Sequence, residues 1–121
     1  MSFNPNKTEA MIIANVQLPF EPNFTFNNTS IKITGQHKHL GIILSRDCKW
    51  NKHIDEIIKK VSAYIATLRK LKLVLNRHNL EKIYLTYIRP LLEYACEVWD
   101  NCGLINSNKL ENIYFNLKLP V

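Results

Sequence analysis

Glycine is scarce, with three residues in 121, and the three stand apart at Gly35, Gly41 and Gly103, so no Gly-rich loop exists to cradle a phosphate. Aspartate is scattered as well. Asp47, Asp55 and Asp100 include no close pair, and a two-metal polymerase centre cannot be built from this chain alone. Three cysteines, Cys48, Cys96 and Cys102, are an odd number at spacings that suit neither a disulfide framework nor a zinc site, and they read as free thiols. No apolar run is long enough to cross a membrane. The stretch Met1 to Thr8 is polar and lacks a basic-then-apolar secretion pattern, so the expected setting is nuclear or cytoplasmic and not secreted. The Asn-X-Ser/Thr triplets starting at Asn23, Asn27 and Asn28 are then plain turn residues.

Hydrophobic residues are present in ordinary amount, 46%, which fits one small globular unit with a modest core. The net charge of +6 is placed unevenly. Residues 1–50 carry five basic and three acidic side chains, residues 51–78 seven and two, and residues 79–121 four and five. The middle segment, at +5, is where phosphates would be met, although a solvated helix face has the same composition. His37 and His39 have no further ligand partners at metal-binding spacing and read as surface or turn histidines.

The pattern predicts an α+β chain: short antiparallel strands and hairpins, then a small helical bundle. Ala10 to Ala14 reads as a buried strand, and Pro19 and Pro22 break Val16 to Phe24 into edge pieces. Phe24-Thr25-Phe26 and Ile31-Lys32-Ile33 alternate around a turn at Asn27 to Ser30. Gly35 to Lys38 reads as a turn and Leu40 to Leu44 as a strand, with Gly41 marking a bulge or close approach. A first helix is expected from Asn51 to about Leu75, capped by Asp47 or Asn51, with Ile54, Ile57, Ile58, Val61, Ile65, Leu68, Leu71 and Leu75 on one face. At about 100° per residue, Lys52, Lys59 and Lys70 fall together on the opposite face, and Lys72 falls inside the apolar stripe, where it either lies near a fraying end or snorkels. A second helix from Asn79 is expected to pass Pro90 either as one kinked helix or as two short helices in line, its stripe being Leu80, Ile83, Tyr84, Tyr87, Leu91, Tyr94 and Val98. Arg89 and Glu93 are spaced to pair. Asn101 to Asn108 reads as a loop, and Leu110, Ile113, Tyr114 and Leu117 as a short third helix stopped by Pro120.

Three segments, in order, resemble one family. Phe3-Asn4-Pro5-Asn6-Lys7-Thr8 followed by Met11-Ile12-Ile13 resembles the late palm motif of reverse transcriptases from non-LTR retrotransposons, with jockey-like elements nearest. His39-Leu40-Gly41-Ile42, Asp47, Trp50 and His53-Ile54 resemble the family's primer-grip stretch leading into the thumb. Leu68-Arg69-Lys70-Leu71, Leu75-Asn76-Arg77, Lys82-Ile83-Tyr84, Tyr87 to Ala95, and Val98-Trp99 resemble the thumb. The likeness runs from about Ser2 to Cys102. Lys109-Leu110-Glu111-Asn112-Ile113 also fits, whereas Tyr114 to Val121 drifts away.

The resemblance implies a division into the end of a palm with its primer-grip hairpin, 1–48, and a helical thumb region, 49–121. It implies descent from an RNA-directed DNA polymerase whose fingers, remaining palm, metal-binding aspartates and Mg2+ belong upstream of Met1, so that this chain alone is expected to be inactive. Lys7 takes the late-palm lysine position near the departing pyrophosphate, against the plainer reading of a lysine ending a turn. His39, Leu40 and Gly41 are implied in holding the primer backbone, and Lys52, Lys59 and Lys70 in contacting phosphates of an RNA–DNA or DNA template–primer duplex. Trp50 and Trp99 read as core anchors. The expected partners are that duplex, the remainder of the polymerase and a second copy of the chain. The competing readings are a stand-alone nucleic-acid-binding remnant and a non-catalytic protein-interaction remnant.

Overall fold

The computed structural model describes residues 3–14, 16–17, 19–20 and 22–116. The chain is α+β and divides into two compact units, 1–49 and 50–121.

Among the described residues the first unit contains three two-stranded ladders. A 3-10 turn, Pro5–Lys7, opens it, with the Asn4 carboxamide oxygen accepting from the Asn6 N–H at 3.0 Å. β1 (Glu9–Ala10) pairs in parallel with β4 (Lys32–Ile33), and the Thr34 N–H continues that ladder to the Ala10 carbonyl at 2.9 Å. β2 (Thr25–Phe26) and β3 (Thr29–Ser30) form a hairpin around Asn27 and Asn28, whose φ of 49° and 61° is the left-handed pair a tight two-residue turn needs. β5 (Gln36–His39) and β6 (Ile42–Ser45) form the longest ladder.

Several local expectations fail here for identifiable reasons. The strand expected over Ala10 to Ala14 is only Glu9–Ala10, half-buried at Ala10, because its partner β4 is itself two residues long. Of Ile31 to Ile33, only Ile31 extends the hairpin, its N–H donating to the Phe24 carbonyl at 2.8 Å, whereas Lys32 and Ile33 leave it to pair with β1. Gln36 to Lys38 is strand and not turn. All of β5 is exposed, so it carries no apolar alternation to announce it. Leu40 and Gly41 are the turn, at φ 49° and 83°, and the strand starts at Ile42. Gly41 therefore marks a reversal and not a bulge.

The second unit is built on α1 (Asn51–Leu71). Its neighbours are α2 (Arg77–Ile83), a π turn (Tyr84–Ile88), α3 (Arg89–Glu93), α4 (Cys96–Trp99) and α5 (Leu104–Asn116). Ile54, Ile57, Val61, Ile65 and Leu68 of α1 join Leu80, Ile88, Leu92, Trp99, Leu110 and Ile113 in one core. α1 ends four residues before Leu75. Its last carbonyls are taken by turn bonds to Leu73, Val74 and Leu75, and Asn76 must be extended (ψ 166°) to cap α2 by accepting from the Asn79 N–H at 2.9 Å. That cap starts α2 at Arg77, not Asn79. Neither side chain expected to cap α1 does so. Asp47 accepts from the Lys49 N–H and Asn51 from the Asn106 carboxamide, while the N-cap position is Trp50, without a side-chain bond.

Pro90 decides the middle of the unit. Its missing N–H is accommodated by widening the preceding turn, where the Arg89 N–H reaches back five residues to the Tyr84 carbonyl. A π turn inserts one extra residue, so the inward positions advance by one. The expected Tyr87 and Leu91 give way to Ile88 and Leu92, and Trp99, read from the sequence as a core anchor, is buried beyond them. Leu91 stays half-buried, while Tyr87, Tyr94 and Val98 are exposed. The helix does not run on to Val98 either. Tyr94 leaves the helical conformation (ψ 120°), Ala95 is left-handed (φ 51°), and the Trp99 indole N–H donates to the Tyr94 carbonyl at 3.0 Å.

α5 begins at Leu104, inside the span expected to be loop. Gly103 (φ 89°) precedes it, and buried Asn106 donates to Asn51 Oδ1 at 2.7 Å and to the Cys102 carbonyl at 2.9 Å. Tyr114 is exposed, and Leu117 and Pro120 lie outside the described residues. His53 is 3% exposed, its ring 6.0 Å from those of both Trp50 and Trp99. Burial, and secondarily the Lys60 ammonium, push its pKa below the ordinary imidazole value.

Two measurements check this packing. Ile88→Ala should cost about 2–5 kcal/mol, while Tyr87→Ala, which removes an exposed ring, should cost under about 1.5 kcal/mol in urea unfolding. Equal losses would restore the register of an uninterrupted α-helix. For His53 the unfolded chain binds its proton more readily than the fold does, so the contribution is complete above about pH 6.5 and is lost as pH falls below it. Both tryptophans of the chain lie in this unit, so their fluorescence reports its unfolding. The midpoint should drop between about pH 7 and pH 5.5, and His53→Phe should flatten that slope.

Candidate nucleic-acid interface

α1 has two chemically distinct faces. One is the core stripe. On the other, Lys52, Lys59 and Lys70 are exposed and make no ion pair among the described residues. They are aligned to within about 20° along the helix and span about 27 Å of its axis, since each residue rises about 1.5 Å. Exposed Ala63 and Ala66 lie between Lys59 and Lys70, which leaves that stretch free of long side chains.

Four other cations of the unit are engaged. Lys60 pairs with Glu56 at 3.8 Å, Arg77 with Glu81 at 3.0 Å, and Lys109 of α5 with Asp55 at 2.8 Å. Arg89 meets Glu93 at 2.9 Å, as its spacing predicts, and the hydrogen bond to that carboxylate raises its pKa further. Arg69 and Lys72 are exposed and unpaired among the described residues, but they project away from the lysine row. Lys72 occupies the C-cap of α1, consistent with a fraying end.

In the first unit, His39, Leu40, Gly41 and Ile42 close the β5–β6 hairpin, with His39 opposite Ile42. The three tip residues are exposed, and Leu40 at 76% presents an apolar side chain to solvent. Lys7 is the last residue of the 3-10 turn, exposed, with its N–H bonded to the Asn4 carbonyl at 3.1 Å. His37 Nδ1 lies 3.4 Å from Glu9 Oε2, and the His37 and His39 rings are 5.9 Å apart. The seven singled-out residues are therefore divided, with Lys7 and the hairpin tip in one unit and the lysine row in the other.

No three His, Cys, Asp or Glu side chains converge on a metal-sized site among the described residues. Asp47 holds the Lys49 N–H and Asp55 holds Lys109, so these carboxylates serve structure. The residues present do not fit the paired Mg2+ ions of a polymerase, and no chemical step is derived through them.

Sequence reasoning missed one surface feature. Tyr64 of α1 and Tyr87 of the π turn stack with centroids 6.4 Å apart and planes at 15°, both exposed. Tyr87 reads as a core residue on any α-helical period, and only the extra residue of the π turn brings it outward. Tyr114 has its phenol pKa raised, chiefly by partial burial and then by Tyr84.

Comparison with known proteins adds an independent line. An alignment of 96 residues, covering 74% of this chain, is 30% identical to a segment of "RNA-directed DNA polymerase from mobile element jockey" of Drosophila funebris. The chain spans only 10% of that protein's length. No protein-family model matches the chain. No solved structure matches it. The similarity supports a reverse-transcriptase-like relationship for this segment.

Proposed function

We propose that this chain is the late-palm and thumb portion of a jockey-like retrotransposon reverse transcriptase, and that its task is to hold the template–primer duplex. The carrying observation is the similarity to a jockey polymerase over 74% of the chain. The unpaired lysine row of α1 supplies the chemistry. Three ammonium groups on one straight face, with small residues between, suit phosphates of a duplex strand read by shape and not by sequence. The β5–β6 tip, with Leu40 and the Gly41 backbone exposed, suits contact with a primer backbone near its growing end.

In this reading phosphoryl transfer belongs to the rest of the enzyme, where paired aspartates and Mg2+ act, and this chain by itself incorporates no nucleotide. Lys7 regains a role beside the leaving pyrophosphate only when the rest of the palm is present. A protein-contact role accompanies this one. Leu104 and Ile105 at the start of α5 are 77% and 76% exposed, and apolar surface of that kind is covered in a larger assembly or by self-association.

Binding to an RNA–DNA hybrid, measured by fluorescence anisotropy across a salt series, tests the duplex role. Affinity should fall steeply with salt, and replacing Lys52, Lys59 and Lys70 together by Gln should reduce the log–log slope by roughly three. No binding at low salt, or an unchanged slope in the triple variant, would remove the lysine row from the duplex contact.

A further inference from the structure

The first unit contains a cavity of about 370 Å³ that no duplex-binding role uses. Its lining combines apolar side chains, Ile12, Phe20, Pro22 and Ile33, with the polar Gln17, Thr34 and Arg46 and with Gly35. The Arg46 N–H donates to the Gly35 carbonyl at 2.9 Å, which fixes these two residues side by side where the β5–β6 ladder ends. The Thr34 N–H is committed to the Ala10 carbonyl, but its hydroxyl oxygen is buried with no hydrogen-bond partner. Arg46 makes no ion pair among the described residues.

From this arrangement we propose that the cavity is a binding site for a small organic anion, a carboxylate or phosphate monoester on a compact apolar body. A guanidinium without an ion pair among the described residues offers a planar fork that matches either anion. The aliphatic and aromatic side chains of the lining take the apolar body, and the volume lies at the small end of ligand sites, which run from about 300 to 1,000 Å³. The cavity has room at its glycine, because a Cβ at Gly35 would meet no atom within 4 Å and its φ is not left-handed.

Titration of the full chain with phenyl phosphate and with 3-phenylpropionate, followed by amide chemical shifts, tests this site. One or both should saturate, moving the amides of Ile12, Ile33, Thr34 and Arg46. The neutral amide of 3-phenylpropionate and the Arg46→Gln variant should each weaken binding by about tenfold or more. Gly35→Leu, which fills the cavity from an unstrained position, should abolish it while leaving the rest of the spectrum in place. The relative affinity of the two probes then states which anion the site prefers. No saturable shift up to about 10 mM, equal binding of the neutral amide, or binding unaffected by Gly35→Leu would each overturn the proposal.

Discussion

The core stripe of α1 is the constraint on which the helical unit depends. Ile54, Ile57, Val61, Ile65 and Leu68 are all buried, and α3, α5 and the π turn are each packed on this one helix. Each such side chain contributes about 1.5–3 kcal/mol when removed from water, which outweighs the small propensity terms of so short a set of partner helices. A helix held so firmly on one side must present its other side to solvent, in a fixed orientation. The lysine row is the consequence: Lys52, Lys59 and Lys70 are positioned by the burial of residues on the opposite face. Asn106 adds to this by bonding Asn51, so that the first turn of α1, where Lys52 sits, is held from α5.

Pro90 is the second constraint, and its effect is reached through geometry and not through lost stability. By opening a π turn before it, the chain keeps its helical course while the register of α3 advances by one residue. Ile88 and Leu92 enter the core, and Tyr87 is released to stack on Tyr64. The left-handed Ala95 then ends α3, and the buried Trp99 closes the break through its indole N–H.

These two features also set how far the sequence alone is legible. The α+β class, the start of α1 at Asn51, its stripe and its outward lysines come from a period of three and four over a long segment, where one face dominates. The Arg89–Glu93 pair comes from spacing alone. The one-residue shift after Pro90 does not, because a π turn leaves no mark on composition and Tyr87, Leu91 and Val98 fit an unbroken period equally well. β5 is hidden because an exposed strand of polar residues has no alternation. Its turn at Leu40-Gly41 is hidden because leucine rarely adopts a positive φ. α5 reaches back to Leu104 through Asn106, a buried polar residue that local sequence reads as loop chemistry. Of the candidate site, the lysine row is visible as a face, whereas the freedom of those lysines from ion pairs requires the positions of Glu56, Asp55 and Lys109. The cavity beside Arg46 joins β-strand ends distant in sequence and leaves no local pattern.

The two units support the proposed role by different means, one through a hairpin tip and one through a charged helix face, and the lysine row is the part most open to direct observation. Acetylation of lysine side chains in the full chain, read residue by residue with mass spectrometry in the presence and absence of an RNA–DNA hybrid, addresses it. A duplex lying along the outward face of α1 predicts protection at Lys52, Lys59 and Lys70, with Lys60 and Lys109 reacting alike in both conditions. Uniform protection, or protection centred on Lys109 and α5, would contradict that placement and move the duplex off this face.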